Sequence, residues 1–277
     1  MKAGVKCATI SILWGLYSGV GLLGNEFLQQ SSGVEGYKII QMLNFGVDVS
    51  FQPVALIMLI LNMFPIFVFQ FVYGTYIYRH FCTASVYWFS RCPHRSRWFI
   101  KESFFLWGLS CIYAMFFYGM GCVVACWGWN AEWTCRTGLF FLYSVTVLAL
   151  WLFITTMLIN VLSLYKGSMF GFGCVAAWQL ACTGSLQLWN NMLSFENGTD
   201  ILKKGILLKI NPISHVVLCW HSSKILIFDE QLCGLPVTFP LSESIVYMLI
   251  MAILSWCTGV FVIRRKEILV ENMEWEG

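Results

Sequence analysis

Residues 138–165 read GLFFLYSVTVLALWLFITTMLINVLSLY, a run of 28 residues without a single Asp, Glu, Lys, Arg or His. The hydrocarbon core of a bilayer, about 30 Å thick, is crossed by roughly 20 apolar helical residues. This run can therefore span the bilayer with some tilt. Five further runs share its character: 7–24, 54–78, 103–128, 167–190 and 244–263. We predict an all-α, polytopic integral membrane protein with six transmembrane helices.

Composition supports the same class of protein. Hydrophobic residues make up 58% of the 277 positions and charged residues only 11%, a balance that excludes a soluble globular domain. Segments of alternating polarity are absent, which argues against a membrane β-barrel. The chain is predicted to form one transmembrane domain over residues 1–277.

Orientation follows from the basic residues, because Lys and Arg are retained on the cytoplasmic side of a membrane. An N-in, C-in arrangement places 11 of the 17 basic residues in cytoplasmic segments. Four of the other six lie in one long external segment, 191–243, where the rule has less force. Both termini are therefore predicted to face the cytoplasm.

The cytoplasmic loop 79–102, between the second and third spans, interleaves basic and aromatic residues. Residues 78–99 read YRHFCTASVYWFSRCPHRSRWF, and a short helix from about Thr83 to Ser90 is expected to end before Pro93. One interpretation is a basic loop that sets topology and touches anionic headgroups. The other is a docking element that presents aromatic anchors and arginines to a partner protein.

The external segment 191–243 contains a capped apolar helix. Asn211 is expected to cap it, with Pro212 at its first position. The residues that follow, 213–221, are largely apolar and too few to span, so we expect this helix to lie in the interface or dip into the outer leaflet.

Histidines and cysteines of this segment raise two further questions. His215 and Cys219 would share a helical face and both can bind zinc, but His221 would be rotated away and no fourth ligand follows. We therefore predict packing histidines and no metal site. Cys135, Cys219 and Cys233 are predicted to be external, and their odd number leaves a disulfide open.

Uncharged polar residues lie within the spans. Gln179, Thr183 and Gln187 are spaced by four residues and form a stripe on the fifth span. Hydrogen bonding between helices is the favoured role, and a lining for a substrate path is the alternative. In the second span, Pro65 is expected to kink or locally loosen the helix, with Asn62 helping to satisfy the freed carbonyl.

Missing motifs restrict the function. No ionisable residue lies at membrane depth, which argues against an ion-driven pump. The chain has no GxxxxGK[ST] motif and none of the HExxH or GxSxG patterns of hydrolases. We therefore expect no catalysis and no cofactor, and any energy must come from another subunit.

The layout resembles the permease subunits of ABC-2-type exporters. Three segments carry the resemblance: Tyr78 to Phe99 looks like their coupling-helix region, Asn211-Pro212-Ile213 like part of their external re-entrant region, and Arg264 to Leu269 like their basic-acidic tail. One departure is that only six residues precede the first span, where many members carry an interfacial helix.

The resemblance implies a subunit that moves an amphipathic or apolar substrate, such as a peptide, bacteriocin, drug or lipid, out of a bacterial cell through the plasma membrane. Its partners would be a separate ABC ATPase, a second copy or related permease, and membrane lipids, but no nucleic acid. The docking residues would be Thr83, Tyr87, Trp88, Arg91 and Arg95. A membrane-resident immunity or scaffold protein is the alternative, and an enzyme using His215 and His221 is a third.

Overall fold

The computed structural model describes residues 2–24, 36–44, 63–87, 95–193, 209–218, 221–222 and 239–265. Within these ranges the chain is almost entirely helical. The helices are α1 (Lys2–Leu23), α2 (Gly36–Leu43), α3 (Phe64–Tyr73), α4 (Tyr76–Tyr87), α5 (Arg95–Trp129), α6 (Cys135–Lys166), α7 (Ser168–Leu193), α8 (Pro212–Val216) and α9 (Leu241–Arg265). Two two-residue strands, β1 (His221–Ser222) and β2 (Phe239–Pro240), pair in parallel.

Five of the described helices are long and apolar enough to cross a membrane. They cover Ala3–Leu23, Arg95–Trp129, Thr137–Lys166, Ser168–Leu186 and Leu241–Arg265. Each matches one of the predicted spans, which confirms a polytopic helical membrane protein. The remaining predicted span, 54–78, which is second in chain order, is described only from residue 63 onward, so a total of six spans and the N-in, C-in topology stay predictions.

Helix α6 forms the centre of the bundle, with α5, α7 and α9 packed around it. Apolar residues occur on every side of it, as expected for a helix surrounded by other helices. Trp151, near its midpoint, is only 1% exposed. A turn at Gly167 joins α6 to α7, and the φ of 90° at this position favours a residue without a side chain.

Close packing of α1 on α5 depends on two glycines spaced by four residues. A Cβ atom placed on Gly15 would lie 2.5 Å from the carbonyl oxygen of Phe117, and one on Gly19 would lie 2.9 Å from that of Gly121. Small residues at this spacing let two helix backbones approach closely in a membrane. The two glycines therefore fix the position of α1.

The second predicted span differs from the expected single kinked helix. Pro65 lies in the first turn of α3, which begins at Phe64, where a missing N–H leaves no bond unmade. The carbonyl of Pro65 accepts a hydrogen bond from the Tyr113 hydroxyl at 2.7 Å. The described part of this span is interrupted at Gly74 and Thr75, between α3 and α4, whereas the expected kink at Pro65 involves residues outside the described ranges. The expected role of Asn62 lies outside the described residues.

The loop 79–102 is helical wherever the structure describes it. Helix α4 runs through the predicted start of the short helix at Thr83 and ends at Tyr87, and α5 begins at Arg95. The expected isolated helix from Thr83 to Ser90 is therefore wrong at its start, because the hydrogen-bond ladder of α4 continues into it from Tyr76. Residues 88–94 lie outside the described residues.

Exposed basic side chains gather at one end of the bundle. This end, called the basic end below, is where α5 and α7 begin and α6 and α9 finish. The Tyr73 hydroxyl donates to the carbonyl of Ala3 at 3.0 Å, which brings the start of α1 to the same end. The exposed basic residues here are Lys6, Arg79, Arg97, Lys101, Lys166, Arg264 and Arg265.

Candidate functional site

Three polar side chains from three helices meet inside the bundle. Gln70 of α3 donates from Nε2 to Thr155 Oγ1 at 2.9 Å and to Gln179 Oε1 at 3.2 Å. Gln179 of α7 donates back from its own Nε2 to Gln70 Oε1 at 2.9 Å. We call these residues the glutamine cluster. Because an unpaired amide is costly away from water, this cluster ties α3, α6 and α7 together.

The predicted stripe on the fifth span lies on α7. Gln179 belongs to the glutamine cluster, so hydrogen bonding between helices, the favoured role, is confirmed for this residue. The Thr183 hydroxyl donates to the Gln179 carbonyl at 2.9 Å and also lies 3.3 Å from Met63 Sδ. Both side chains are buried. The Gln187 side chain lies outside the described residues, and a substrate path along this stripe stays a prediction.

A side chain of α6 holds the junction between α3 and α4. Asn160 Oδ1 accepts a hydrogen bond from the Tyr78 backbone N–H at 2.8 Å, and Asn160 Nδ2 donates to the Thr156 carbonyl at 2.7 Å. The Thr75 hydroxyl nearby is buried and has no hydrogen-bond partner among the described residues. The first turn of α4 is thus held partly by another helix, in addition to the backbone hydrogen bond from the Arg79 N–H to the Thr75 carbonyl at 2.9 Å.

Beyond this junction, α4 and α5 extend side by side at the basic end. Residues 79–87 and 95–102 form these extensions, called the two arms below. His80 Nδ1 lies 3.5 Å from Glu102 Oε2, and the rings of Phe81 and Trp98 are 6.1 Å apart. These contacts join the two arms to each other.

The predicted docking residues are only partly described. Thr83 is exposed on α4 and its hydroxyl donates to the Arg79 carbonyl at 3.1 Å. Tyr87 ends α4, and its side chain lies outside the described residues, as do Trp88 and Arg91. Arg95 begins α5 and is half-buried. The docking role of this segment stays a prediction.

At the opposite end, the capped helix of the external segment is confirmed but shorter than expected. Asn211 Oδ1 accepts a hydrogen bond from the Ile213 N–H at 2.9 Å, and Pro212 occupies the first helical position. Helix α8 ends at Val216, and His221 lies on β1. The prediction that His221 is rotated away from His215 on one helix is therefore wrong.

Both histidines contact the same serine. His215 Nδ1 lies 2.8 Å from Ser244 Oγ, and His221 Nε2 lies 2.6 Å from the same oxygen. All three side chains are buried. Sequence reasoning missed Ser244, because a serine at the start of an apolar span gives no local signal of its partners. We call His215 and His221 the histidine pair.

Hydrogen-bond chemistry fixes the direction of the chain through Ser244. His215 Nε2 lies 2.8 Å from the Lys209 carbonyl, which can only accept, so this nitrogen carries a proton. In neutral His215 the other nitrogen, Nδ1, must then accept from Ser244. The Ser244 oxygen in turn accepts from His221 Nε2. The hydrogen bonds therefore all run in one direction, from His221 through Ser244 and His215 to the Lys209 carbonyl.

Burial lowers the pKa of both histidines and so disfavours their charged forms. It lowers the pKa of His221 from 6.5 to about 3, with the nearby His215 adding to the effect and the backbone of Val217 and Leu218 opposing it. Burial also lowers the pKa of His215, against the raising influence of the Lys209 backbone and the Glu243 carboxylate. Lys209 Nζ and Glu243 Oε2 form an ion pair of 2.9 Å beside the site.

Acid is expected to destabilise the protein through His221. Because its pKa is lower in the folded state than in the unfolded state, its contribution is complete above the unfolded pKa and is lost as the pH falls from about 6.5 toward 3. Between pH 7 and pH 5 we expect a loss of about 2 kcal/mol. Thermal unfolding in detergent at the two pH values measures this loss.

His221→Gln should remove most of that pH dependence, since an amide does not titrate in this range. His80→Gln, at the exposed arm, is the matched control and should leave it in place. Equal losses of stability in the wild type and the His221→Gln variant would show that another group is responsible.

Within the described ranges, no three His, Cys, Asp or Glu residues lie together in a way that could hold a metal ion. Cys135 is free and exposed at the start of α6, whereas Cys219 and Cys233 lie outside those ranges. The arrangement of the histidine pair favours a structural hydrogen-bond chain.

A short helix not anticipated from the sequence, α2, enters the bundle from the opposite end. The Gly36 N–H donates to the Glu132 carbonyl at 3.1 Å, where α5 and α6 are connected. The residue after α2, Asn44, accepts from the Tyr118 hydroxyl at 2.6 Å and donates to Ser144 Oγ at 3.0 Å. Ser144 lies about 13 Å along α6 from its start, so α2 ends inside the membrane-spanning part.

Comparisons with protein-family models, curated proteins and solved structures find no match for this chain. The resemblance to ABC-2-type permeases therefore rests on the sequence layout alone.

Proposed function

We propose that this chain is the transmembrane permease subunit of an ATP-driven, ABC-2-type exporter in a bacterial plasma membrane. In this proposal six spans cross the membrane and both termini lie in the cytoplasm. A separate ATPase docks on the segment between the second and third spans. Two copies, or one copy with a related permease, enclose the path.

The pair of arms is the observation that carries the proposal. They project basic side chains at the basic end, including Arg79, Arg97 and Lys101. The arms are joined to each other through His80 and Glu102. A surface of this kind offers an acidic partner charge complementarity.

The connection of the arms to the bundle supports a mechanical role. Force on the arm of α4 would reach the junction that Asn160 holds, and then the glutamine cluster through α3. A junction between two short helices can absorb a change in backbone angles during a switch between two packed states. ATP-driven closure of the partner would in this way tilt the bundle between inward-open and outward-open states.

The polar residues at membrane depth are consistent with a transporter whose energy is supplied by another subunit. In the described spans the buried polar side chains are uncharged, with Gln70, Thr155, Asn160, Gln179 and Thr183 among them. Proton- and ion-coupled transporters generally need ionisable groups there. The lack of charged side chains at this depth in the described spans favours an amphipathic or apolar substrate, for example a peptide, a drug or a lipid.

Reversing the charge of two docking arginines should remove the ATPase. We expect a Walker-motif ATPase to co-purify with the tagged wild-type chain from its native host in mild detergent. The double variant Arg91→Glu, Arg95→Glu should reduce its recovery by roughly tenfold or more, since charge reversal at an interface costs several kcal/mol. Quantitative mass spectrometry of the purified complexes measures the recovery.

The matched control is Lys6→Glu with Lys166→Glu, which reverses two charges at the basic end outside the docking segment. It should retain the ATPase. Absence of any ATPase with the wild type would reject the exporter and favour an immunity or scaffold protein that binds a peptide or partner without transport. Equal recovery with both double variants would place the docking surface elsewhere.

A further inference from the structure

An apolar groove runs between α5, α6 and α9 on the outer face of the bundle. Its volume is about 240 Å³. The walls include Phe104, Trp107, Phe153, Leu249, Ala252 and Trp256. The rings of Trp107 and Phe153 meet edge to face at 5.5 Å and form part of its floor. A groove of this composition on a membrane-spanning surface accepts a hydrocarbon chain.

Two arginines lie on the groove side of the bundle, nearer to the basic end. Arg97 precedes Phe104 by seven residues and Arg264 follows Ile253 by 11 residues, which are close to whole numbers of helical turns. Each arginine therefore shares a helix face with a groove residue, and both are exposed. Arg264 Nε donates to Ser96 Oγ at 2.9 Å, so the end of α9 is held against the start of α5.

The spacing along the helices fits a phospholipid. Arg97 lies about 10 Å from Phe104 along α5, and Arg264 about 12 Å from Trp256 along α9. This offset is comparable to the depth between a phosphate and the upper part of its acyl chains. The carboxylate of Glu102, which would oppose an anion, contacts His80 on the neighbouring arm.

We propose that the groove and these two arginines form a binding site for an anionic phospholipid. One acyl chain fills the groove against Trp107 and Trp256. The phosphate lies between Arg97 and Arg264, where guanidinium groups can donate to its oxygens. A net negative headgroup gains from both arginines, whereas a zwitterionic headgroup carries a compensating cation. Arg97 also lies on the arm of α5, so this site adjoins the proposed docking surface and is tested on the chain without the ATPase.

Native mass spectrometry of the delipidated full-length chain tests the site. Dioleoyl phosphatidylglycerol and dioleoyl phosphatidylcholine, which have identical acyl chains, are titrated separately. We expect the first lipid adduct to form at a roughly tenfold lower concentration with the anionic lipid, because both lipids offer a phosphate but only phosphatidylglycerol carries a net negative charge. Arg97→Gln with Arg264→Gln should abolish this preference, and Lys166→Gln should keep it.

Two variants test the groove itself. Ala252→Phe fills it and should weaken the anionic adduct by roughly tenfold, consistent with loss of a buried chain. Leu254→Phe is the control, since Leu254 is exposed on another face of α9. Because Ala252 is buried, Trp256→Ala serves as a second variant that removes a wall without crowding, and it should also weaken binding.

Equal affinity of the wild type for the two lipids would overturn the proposal. The proposal would also be overturned if the variant without both arginines kept the preference for the anionic lipid, or if Trp256→Ala bound the anionic lipid as tightly as the wild type. Because no ATPase is present in the measurement, these results are read separately from the exporter test.

Discussion

Replacing Gly15 by Leu is expected to lower the free energy of unfolding by about 3 kcal/mol or to prevent assembly of the bundle. A Cβ atom at this position would lie 2.5 Å from the Phe117 carbonyl oxygen and 3.0 Å from Met120 Cβ. Backbone atoms cannot move aside as a flexible side chain can, so α1 must separate from α5. Denaturation in mixed micelles, followed by circular dichroism, measures the loss.

Gly21→Leu is the matched control on the same helix. No atom of the described residues lies within 4 Å of a Cβ atom at Gly21, so this substitution should change stability little. A loss of equal size in both variants would show that leucine disturbs α1 itself. An unchanged stability in Gly15→Leu would show that α1 does not pack closely on α5.

The long spans could be predicted from sequence because apolar runs report directly on the bilayer. The run 138–165 became α6, and 244–263 became the greater part of α9. The ends of the helices were predicted less accurately, because the backbone hydrogen bonds of a helix can continue into polar residues beyond the apolar run. Helix α5 begins at Arg95, eight residues before the apolar run at 103.

Contacts between residues far apart in the sequence could not be predicted, because sequence patterns report only on neighbouring residues. The partner of Gln179 is Gln70, which is 109 residues away, and the sequence marks both only as polar residues in spans. His221 was misplaced because α8 was assumed to continue beyond Val216. The close packing at Gly15 and Gly19 could have been predicted from the sequence, because small residues spaced by four are a known signal of close helix packing in membranes.

The glutamine cluster should show strong coupling between its two amides. Gln179→Leu leaves Gln70 Oε1 without the donor that lies at 2.9 Å, so we expect a loss of about 2 kcal/mol. Gln70→Leu should cost a similar amount, because Gln179 is then unpaired. The double variant should lose less than the sum, by about 1 to 2 kcal/mol, since no amide remains unpaired.

The same denaturation measurement, made on the wild type, the two single variants and the double variant, completes this double-mutant cycle. Thr146→Val is the control, because the Thr146 hydroxyl is exposed and donates only to the Leu142 carbonyl of its own helix at 2.8 Å. Additive losses in the Gln70 and Gln179 variants would mean that the two amides do not act as a pair. Strong coupling would identify the cluster as the connection between α3 and α7, through which movement of the arms could reach the rest of the bundle.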